Sequence, residues 1–357
     1  MRIVDGKSFQ LCRLFRLGGL FAAACLLTAL LARGQETAGE PPPQGFTAAF
    51  PAMGSTFQIS VYAADAVQVQ AASEQLQAEV ERLNAIFSDY DINSELMRAL
   101  AAAAEGEDVA VSDELFAMLR ASGQWHRRTD GAFDASIGSL TRLWRRNRRA
   151  RKLPDPAAVA EAAGHVGWEK IQLNADPQSF RVSDPELRID FGGIAGGYVV
   201  DRCFDMLQEM GLKHCLIDFG GDIRCGLAPP GRDGWRIEIA GVGPDEPPLR
   251  TLELAEAAVT TSGDLWQSAM VDGVRRSHIV DPRTGYGVPG PASVSVVGKN
   301  CMTVDVLATA LSVLDRQAGE RLLGELDSPA AALYAWVGED GQLQIHATQG
   351  FPEQRSP

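Results

Sequence analysis

The sequence predicts an α+β fold, in which helices and strands are mixed rather than strictly alternating. Two long segments, 69–87 and 113–128, repeat apolar residues at steps of three and four, as amphipathic helices do. Three short runs alternate apolar and polar residues, which is typical of antiparallel strands with one solvated face. These runs are Lys170–Leu173, Ser179–Val182 and Leu187–Asp190. Together the patterns favour α+β over a doubly wound parallel sheet.

Composition and charge restrict the class of protein. The chain has 357 residues, 45% of them hydrophobic, which is enough to bury the core of one large domain or of two lobes. Its formal net charge of -13 argues against a nucleic-acid partner, because phosphate binding needs clustered Lys and Arg. Four widely spaced cysteines favour buried apolar thiols, with a disulfide as the alternative. They are Cys203, Cys215, Cys225 and Cys301.

Residues 1–34 have the pattern of an export signal. Basic residues precede an uncharged run, Leu17–Ala32, and Ala32-Arg33-Gly34 offers a small-x-small cleavage site. We rank a cleaved signal first, a retained N-terminal membrane anchor second and lipidation at Cys25 third. The prediction is an exported protein, either periplasmic or anchored at the outer side of the cytoplasmic membrane through this segment.

The remaining chain divides by composition. Residues 35–49, with three consecutive prolines, predict a flexible tether. Residues 50–348 carry the helix and strand patterns and form the predicted folded domain, which opens with a strand at Phe57–Tyr62. Residues 349–357 are a predicted disordered tail.

A polar turn, Ser88–Glu95, follows the first predicted helix. Its side chains can accept hydrogen bonds from their own backbone. Tyr90, exposed in such a turn, is available to stack on a planar ligand, and the alternative of a tyrosine that merely packs on the surface has about equal weight.

A basic segment interrupts this acidic chain: seven Arg and Lys residues fall within Arg142–Lys152. Such a run can steer an anionic substrate, touch acidic lipid or dock a partner, although a solvated, mobile face is the commoner outcome. Asp155 and Pro156 then predict the start of a short helix that Gly164 closes.

Two glycine turns each follow a predicted strand, at Asp190–Tyr198 and at Asp218–Ile223. Glycines let backbone N–H groups at a helix start point towards an anion, so the first turn is a candidate diphosphate cradle. It does not match the dinucleotide-binding fingerprint, because Ile194 stands at the third glycine position, and it lacks the Gly-Lys-Ser/Thr of the Walker motif.

Asp305 and Thr309 lie four residues apart on a predicted helix that follows the strand-like run Ala292–Val297. They therefore share one helix face, beside an apolar stripe. Hard oxygen ligands one turn apart suit Mg²⁺, which fills its remaining positions with water and substrate phosphate. The alternative is an ordinary solvated helix face.

Two further turns carry polar side chains. Thr261–Asp264 offers hydroxyls and a carboxylate, and His278, Asp281 and Arg283 surround a Pro turn. His278 has candidate partners close in sequence, so it is a candidate general base, although a histidine beside a turn is more often structural.

Taken in order, these motifs resemble the ApbE family of FAD:protein FMN transferases. The resemblance covers roughly Phe50–Val337. It rests on eight ordered motifs: Met53-Gly54-Ser55, Phe87-Ser88-Asp89-Tyr90 with Ser94-Glu95, Gly131-Ala132-Phe133-Asp134, Asp190-Phe191-Gly192-Gly193-Ile194-Ala195, Gly220-Gly221-Asp222-Ile223, Thr261-Ser262-Gly263-Asp264, His278 with Asp281-Pro282-Arg283-Thr284-Gly285, and Cys301-Met302 through Asp305 to Thr309.

The resemblance implies a T-fold-like, two-lobed arrangement of mixed or antiparallel sheets with packed helices and an FAD cleft between the lobes. It also implies a Mg²⁺-dependent enzyme that moves FMN from FAD to a Ser or Thr hydroxyl of a target flavoprotein and releases AMP. Asp305, Thr309 and the Ala195 carbonyl would bind the metal. The implied FAD-site residues are Met53, Tyr90, Glu95, Gly192, Gly193, Gly220, Gly221, Asp222, Ser262, Gly263 and Asp264.

Within this resemblance, a hydroxyl that attacks a diphosphate needs a base, and we assign that role to His278, oriented by Asp281. One departure stands out, because Gly196 occupies the place where the family usually has a Lys. The loss of that positive charge keeps open the alternative of a non-catalytic FAD-binding protein. A second alternative is a Mg²⁺-dependent FAD pyrophosphatase that uses the same metal site and passes the phosphoryl group to water.

Overall fold

An eight-stranded antiparallel sheet forms the centre of the computed structural model, which describes residues 2–3, 43–243, 246–263, 268–271, 274–290, 292–338 and 340–354. Its strand order is β17-β16-β15-β11-β8-β7-β3-β2. The strands of this sheet are β2 (Gln44–Ala52), β3 (Ser55–Ala63), β7 (Cys215–Phe219), β8 (Asp222–Cys225), β11 (Ala257–Gly263), β15 (Ala292–Gly298), β16 (Ala331–Val337) and β17 (Leu343–Ala347).

Three smaller antiparallel sheets complete the strands. Their orders are β1-β9-β10, β4-β6-β5 and β12-β13-β14. These strands are β1 (Arg2–Ile3), β4 (Val109–Ala110), β5 (Ile171–Ala175), β6 (Gln178–Val182), β9 (Trp235–Ile239), β10 (Arg250–Leu254), β12 (Ser268–Val271), β13 (Val274–Val280) and β14 (Gly287–Pro289).

The described residues form eight α-helices, and five of them lie where patterns in the sequence predict a helix. The helices at 95–103, 138–150 and 316–324 were not predicted. The eight helices are α1 (Ala66–Phe87), α2 (Glu95–Ala103), α3 (Asp113–Arg128), α4 (Gly138–Ala150), α5 (Pro156–Gly164), α6 (Ala195–Glu209), α7 (Cys301–Val313) and α8 (Arg316–Gly324). Side-chain caps start several of them: Asp65 accepts from the Gln68 N–H, and Ser112 from the Leu115 N–H. The mixed helices and antiparallel sheets confirm the α+β class.

Helices α6 and α7 cross closely on one face of the large sheet, where α7 contacts β11 and β15. Gly197 permits the crossing, because a Cβ at this position would lie only 2.6 Å from the Cys301 carbonyl oxygen. Residues of α7 on both sides of Asp305, such as Val304 and Leu307, are fully buried in the main core. The crossing therefore fixes α7 against the start of α6.

The four cysteines of the folded part are free and buried, as the sequence predicts. Burial raises the pKa of the Cys203, Cys215 and Cys225 thiols to about 12. They serve as small apolar core residues rather than as nucleophiles.

Several expectations differ from the structure. Leu187–Asp190 is not a strand: its one ladder contact is a parallel bridge between Arg188 and Ile137, and its apolar side chains are buried in the main core. The basic segment 142–152 lies mostly within α4 instead of forming a mobile loop, because Leu140, Leu143 and Trp144 anchor that helix.

The predicted domain boundaries also shift. Residues 44–49 belong to β2, which pairs with β3 along its whole length, so they are not part of a tether. Phe351 in the predicted tail is buried in a second core with Trp235. Apart from Arg2–Ile3, the predicted signal segment 1–34 lies outside the described residues. Among the helices that are described, none is long and apolar enough to cross a bilayer.

Candidate active site

Two tight hairpin turns lie side by side at one end of the large sheet. Met53 and Gly54, with φ of 44° and 79°, join β2 to β3, and Gly220 and Gly221, with φ of 66° and 106°, join β7 to β8. Two successive positive-φ residues are the geometry of a two-residue hairpin that follows the strand twist. Because β3 pairs with β7, the two tips are neighbours, and a Cβ at Gly220 would lie 2.8 Å from the Ser55 hydroxyl.

The first glycine turn runs from Asp190 into the start of α6 and folds against Thr309. The Gly192 N–H donates to Asp190 Oδ1 at 2.8 Å, and the Ala195 N–H donates to the Phe191 carbonyl at 2.9 Å. A Cβ at Gly193 would lie 2.8 Å from Thr309 Oγ1. Glycine is therefore required at position 193 by the close approach of the α7 hydroxyl.

Gly196 separates two carboxylates that are distant in sequence. A Cβ at this glycine would lie 2.4 Å from Asp222 Oδ2 and 3.6 Å from Asp305 Oδ2. Asp222 opens β8 just after the second glycine turn, while Asp305 projects from α7 and is only 5% exposed. The predicted metal residues and the predicted FAD-site residue Asp222 therefore meet around the start of α6.

The two carboxylates are buried close together, and the pKa of each is raised. Burial, followed by the neighbouring charge of Asp222, raises the pKa of Asp305 well above its ordinary value, against the opposing effect of the Gly197 N–H at 3.1 Å. Burial likewise raises the pKa of Asp222 to about 7, although the Thr260 hydroxyl donates to it at 2.9 Å. No Lys or Arg of the described ranges forms an ion pair with either group.

This donor set fits a Mg²⁺ ion better than a transition metal. Two carboxylates, the Thr309 hydroxyl and the backbone at Ala195 offer hard oxygen donors, and a cation would offset the cost of burying the carboxylates in their charged form. Across the part of the chain that the structure describes, no group of three or more His, Cys, Asp or Glu residues is arranged as a metal cage. Mg²⁺ needs no such cage, since substrate phosphate and water complete its octahedron.

Asp201 on α6 supports this arrangement, and the sequence analysis did not identify it. Its two oxygens accept from the Cys301 N–H at 2.8 Å and from the Met302 N–H at 2.9 Å, the first donors of α7. Arg224 donates to the same carboxylate at 2.7 Å. The partners lie about a hundred residues away in the chain, so no local pattern could have identified this link between the two helices.

Tyr90 lies beside a half-buried ion-pair bridge. The Arg145 guanidinium donates to Asp89 and to Asp190, at 2.6 Å in each case, and lies 4.5 Å from the centre of the Tyr90 ring. Tyr90 remains 73% exposed. Because Asp190 also accepts from Gly192, the bridge connects the Tyr90 turn directly to the first glycine turn.

His278 lies on β13, and Asp281 lies in the turn that follows this strand. His278 is half-buried on β13. The Asp281 carboxylate is held by Arg283, with contacts of 2.9 and 3.0 Å, and Arg283 in turn donates to the Val313 carbonyl at the end of α7. Asp281 therefore anchors the turn after β13. Its role in orienting His278 stays a prediction.

The remaining predicted site residues differ in placement. The Glu95 carboxylate accepts from the Ser112 N–H at 2.7 Å, which gives it a structural role at the start of α3. Ser262 and Gly263 end strand β11 rather than forming a turn, because the chain there pairs with β15. Gly263 lines a cavity of about 190 Å³ that Ser277 and Ile279, the neighbours of His278, also line. Asp264 lies outside the described residues.

Comparisons with known proteins agree on one family. The model of the ApbE family matches residues 53–334. A Vibrio cholerae protein named FAD:protein FMN transferase is 33% identical over 322 residues, 87% of this chain and 93% of its own length. A Haemophilus influenzae protein of the same name is 30% identical over 317 residues, 84% of this chain and 88% of its own length.

Solved structures give the same result. The flavin transferase ApbE from Vibrio cholerae superposes with a TM-score of 0.76 at 28% identity, covering 87% of this chain and 99% of that one. The apo flavinyl transferase ApbE from Pseudomonas stutzeri superposes with a TM-score of 0.75 at 26% identity, covering 86% and 96%. A histidine-to-glycine variant of the Vibrio cholerae protein superposes with a TM-score of 0.74.

Proposed function

We propose that this protein requires Mg²⁺ and modifies a Ser or Thr hydroxyl of its target. The chain belongs to the ApbE family and is an enzyme that transfers flavin from FAD to a protein, and the proposal proceeds from that. In this reaction the hydroxyl oxygen forms a bond to the phosphorus of the FMN half of FAD. The diphosphate bond to that phosphorus breaks, AMP leaves with the bridging oxygen, and the hydroxyl proton passes to a base. The product is a phosphoester-linked flavin on the target protein.

One observation carries this proposal: the close approach at Gly193 and Gly196. At these two glycines the first turn meets Thr309 on one side and Asp222 and Asp305 on the other. Asp305, Thr309 and the Ala195 carbonyl would hold the metal, with Asp222 as a second carboxylate facing it. When bound, Mg²⁺ would neutralise diphosphate oxygens and stabilise the charge that develops on the leaving AMP.

The glycine turns provide the other half of the site. Backbone N–H groups at the start of α6 can hold phosphate oxygens, because the N-terminus of a helix favours negative charge. The adjacent hairpin tips with Met53 and Gly220 extend this surface, and Tyr90 supplies an exposed aromatic ring for a planar part of FAD. These elements bind and orient the substrate rather than react with it.

His278 is the proposed base that removes the hydroxyl proton. It lies half-buried on β13, and imidazole is the side chain whose ordinary pKa suits proton transfer near neutrality. A histidine has been replaced by glycine in one solved flavin transferase, which directs attention to such a residue. We expect His278→Ala to lose most transfer activity while FAD binding is retained.

The proposed location is outside the cytoplasm. Residues 1–34 have the composition of an export signal, so the enzyme would act in the periplasm or at the outer side of the cytoplasmic membrane, on a target flavoprotein found there. A fusion of residues 1–42 to a reporter that is active only after export would test this, and reporter activity confined to the cytoplasm would contradict it.

The function itself is tested by incubating the protein with FAD, Mg²⁺ and an acceptor domain of an extracytoplasmic flavoprotein. Flavin fluorescence that stays on the denatured acceptor, with a mass increase mapped to Ser or Thr, is the expected result. It should disappear with chelator and in Asp305→Asn. Free FMN and AMP would instead identify a pyrophosphatase, and bound FAD without products would identify a non-catalytic binder.

A further inference from the structure

Helix α4 presents a face of arginines to solvent. Arg142, Arg145, Arg146 and Arg149 follow the spacing i, i+3, i+4, i+7, which places them on one side of a helix. The opposite side is fixed, because Leu140, Leu143 and Trp144 are buried and the Trp144 indole donates to the Ser277 carbonyl at 2.9 Å. The basic face is therefore a rigid surface rather than a mobile charge run.

Three of these arginines have no acidic partner within the described residues. Arg145 is occupied by Asp89 and Asp190, whereas Arg142, Arg146 and Arg149 are exposed and form no ion pair. Like charges at this spacing repel one another and destabilise a helix. The chain as a whole has a net charge of -13, yet these three arginines on α4 have no neutralising partner among the described residues. This indicates that an anionic group of another molecule neutralises them.

The arginines line a cleft of about 880 Å³, and its other walls are partly apolar. Tyr90 and Ile92 are 73% and 76% exposed at its edge, and Met97 lies within it. A concave surface with both cations and apolar side chains fits an extended peptide better than a flat bilayer.

The cleft is continuous with the candidate active site. Arg145 lies in its wall and reaches Asp190, whose other oxygen accepts from Gly192 in the first glycine turn. A chain segment lying along α4 would therefore approach the turn at which we place the FAD diphosphate. The acceptor protein must present its hydroxyl to that diphosphate, so a segment of the acceptor is the occupant that this position suits.

We propose that the α4 cleft is the docking site for an acidic segment of the acceptor protein, held by Arg142, Arg146 and Arg149 and by contacts with Ile92 and Met97. The identity of the partner as the acceptor rests on the proposed function. Docking there would raise the concentration of the acceptor hydroxyl near FAD, so it acts on the affinity for the acceptor and not on the affinity for FAD.

The test measures the fluorescence anisotropy of two labelled peptides with the full-length protein. One peptide contains Glu, Gly and a single Ser, and its partner has Gln in place of every Glu. The test variant is Arg142→Gln/Arg146→Gln/Arg149→Gln, in which glutamine retains helix propensity. The matched control is Arg120→Gln/Arg127→Gln/Arg321→Gln, three exposed arginines that do not line the cleft but change the net charge equally.

We expect tighter binding of the acidic peptide, with an affinity that falls as salt rises. Each exposed pair is worth about twofold to fivefold, so the test variant should lose about tenfold to a hundredfold while the control keeps native affinity. FAD affinity, followed by flavin fluorescence, should stay native in both variants. Equal losses in test and control variants would overturn the proposal, since bulk charge would then explain the binding.

Two other results would also overturn it. A parallel loss of FAD affinity in the test variant would assign the arginines to the FAD site, and arginine-dependent binding to phosphatidylserine vesicles without peptide binding would assign them to a membrane. The readout does not depend on the chemistry. A protein that binds the acidic peptide but puts no flavin on an acceptor would contradict the proposed function and leave this anion site intact.

Discussion

Asp222 and Asp305 should make the stability of the metal-free protein fall as pH rises. The pKa of Asp222 is raised from 3.8 to about 7, so the folded state binds a proton there that the unfolded state has released. A group with a raised folded-state pKa contributes fully below its unfolded pKa, and this contribution is lost as pH rises through the folded value. The window for Asp222 is therefore from about pH 4 to about pH 7.

The size of the effect follows from the shift. A rise of about three pKa units corresponds to at most roughly 4 kcal/mol in the free energy of unfolding. Asp222→Asn should remove this dependence, and it should also lower the pKa of Asp305, because the charge of Asp222 is one of the influences that raise it. The variant should then be more stable than the native protein near pH 8 without metal.

Urea unfolding in chelator between pH 5 and pH 8 measures this directly. Mg²⁺ should restore the lost stability at pH 8, and its apparent affinity should rise about tenfold from pH 6 to pH 8, since it competes with the proton on Asp222. If native protein and Asp222→Asn show the same pH dependence, or if Mg²⁺ has no effect at pH 8, the two carboxylates do not form the predicted cation site.

Other perturbations give independent outcomes. Gly193→Ala should displace the Thr309 hydroxyl, which would lie 2.8 Å from the added methyl, and should abolish Mg²⁺-dependent thermal stabilisation. The control Gly164→Ala, with open space around it, should keep that stabilisation. Equal Mg²⁺ stabilisation in both variants would count against the site. Asp201→Asn should lower the free energy of unfolding by about 1–3 kcal/mol, because it weakens the bonds to the start of α7; an unchanged urea midpoint would contradict this. Arg145→Gln should weaken FAD binding about tenfold or more, because it leaves the Asp89 and Asp190 carboxylates without their cation beside the glycine turn. Titration of flavin fluorescence measures the FAD affinity, and a native affinity would contradict this prediction.

Periodic and local patterns predicted several of the helices and strands. Helix α1 and helix α3 follow from apolar steps of three and four with clear caps, and the shared face of Asp305 and Thr309 follows from helix geometry alone. The failure at Leu187–Asp190 has a physical reason, because burial against neighbouring elements produces the same alternation as a strand without requiring a hydrogen-bonded ladder.

The arrangement of the site could not be predicted from local pattern. Gly196 stands between Asp222 and Asp305, and the three residues meet only because α6, α7 and β8 pack together. The same is true of Arg145, whose partners Asp89 and Asp190 lie 56 and 45 residues away. Such contacts depend on topology, so only the family resemblance could group these residues into one site. The structure adds the physical reason for Gly193 and Gly196, which is the close approach of side chains from α7 and β8.

The ratio of AMP released to flavin bound on the acceptor distinguishes transfer to protein from hydrolysis. With FAD, Mg²⁺ and an acceptor domain present, we expect one AMP for each flavin that remains on the denatured acceptor at a Ser or Thr. AMP in excess, with FMN free in solution, would show that water is the acceptor and that the protein is not a transferase.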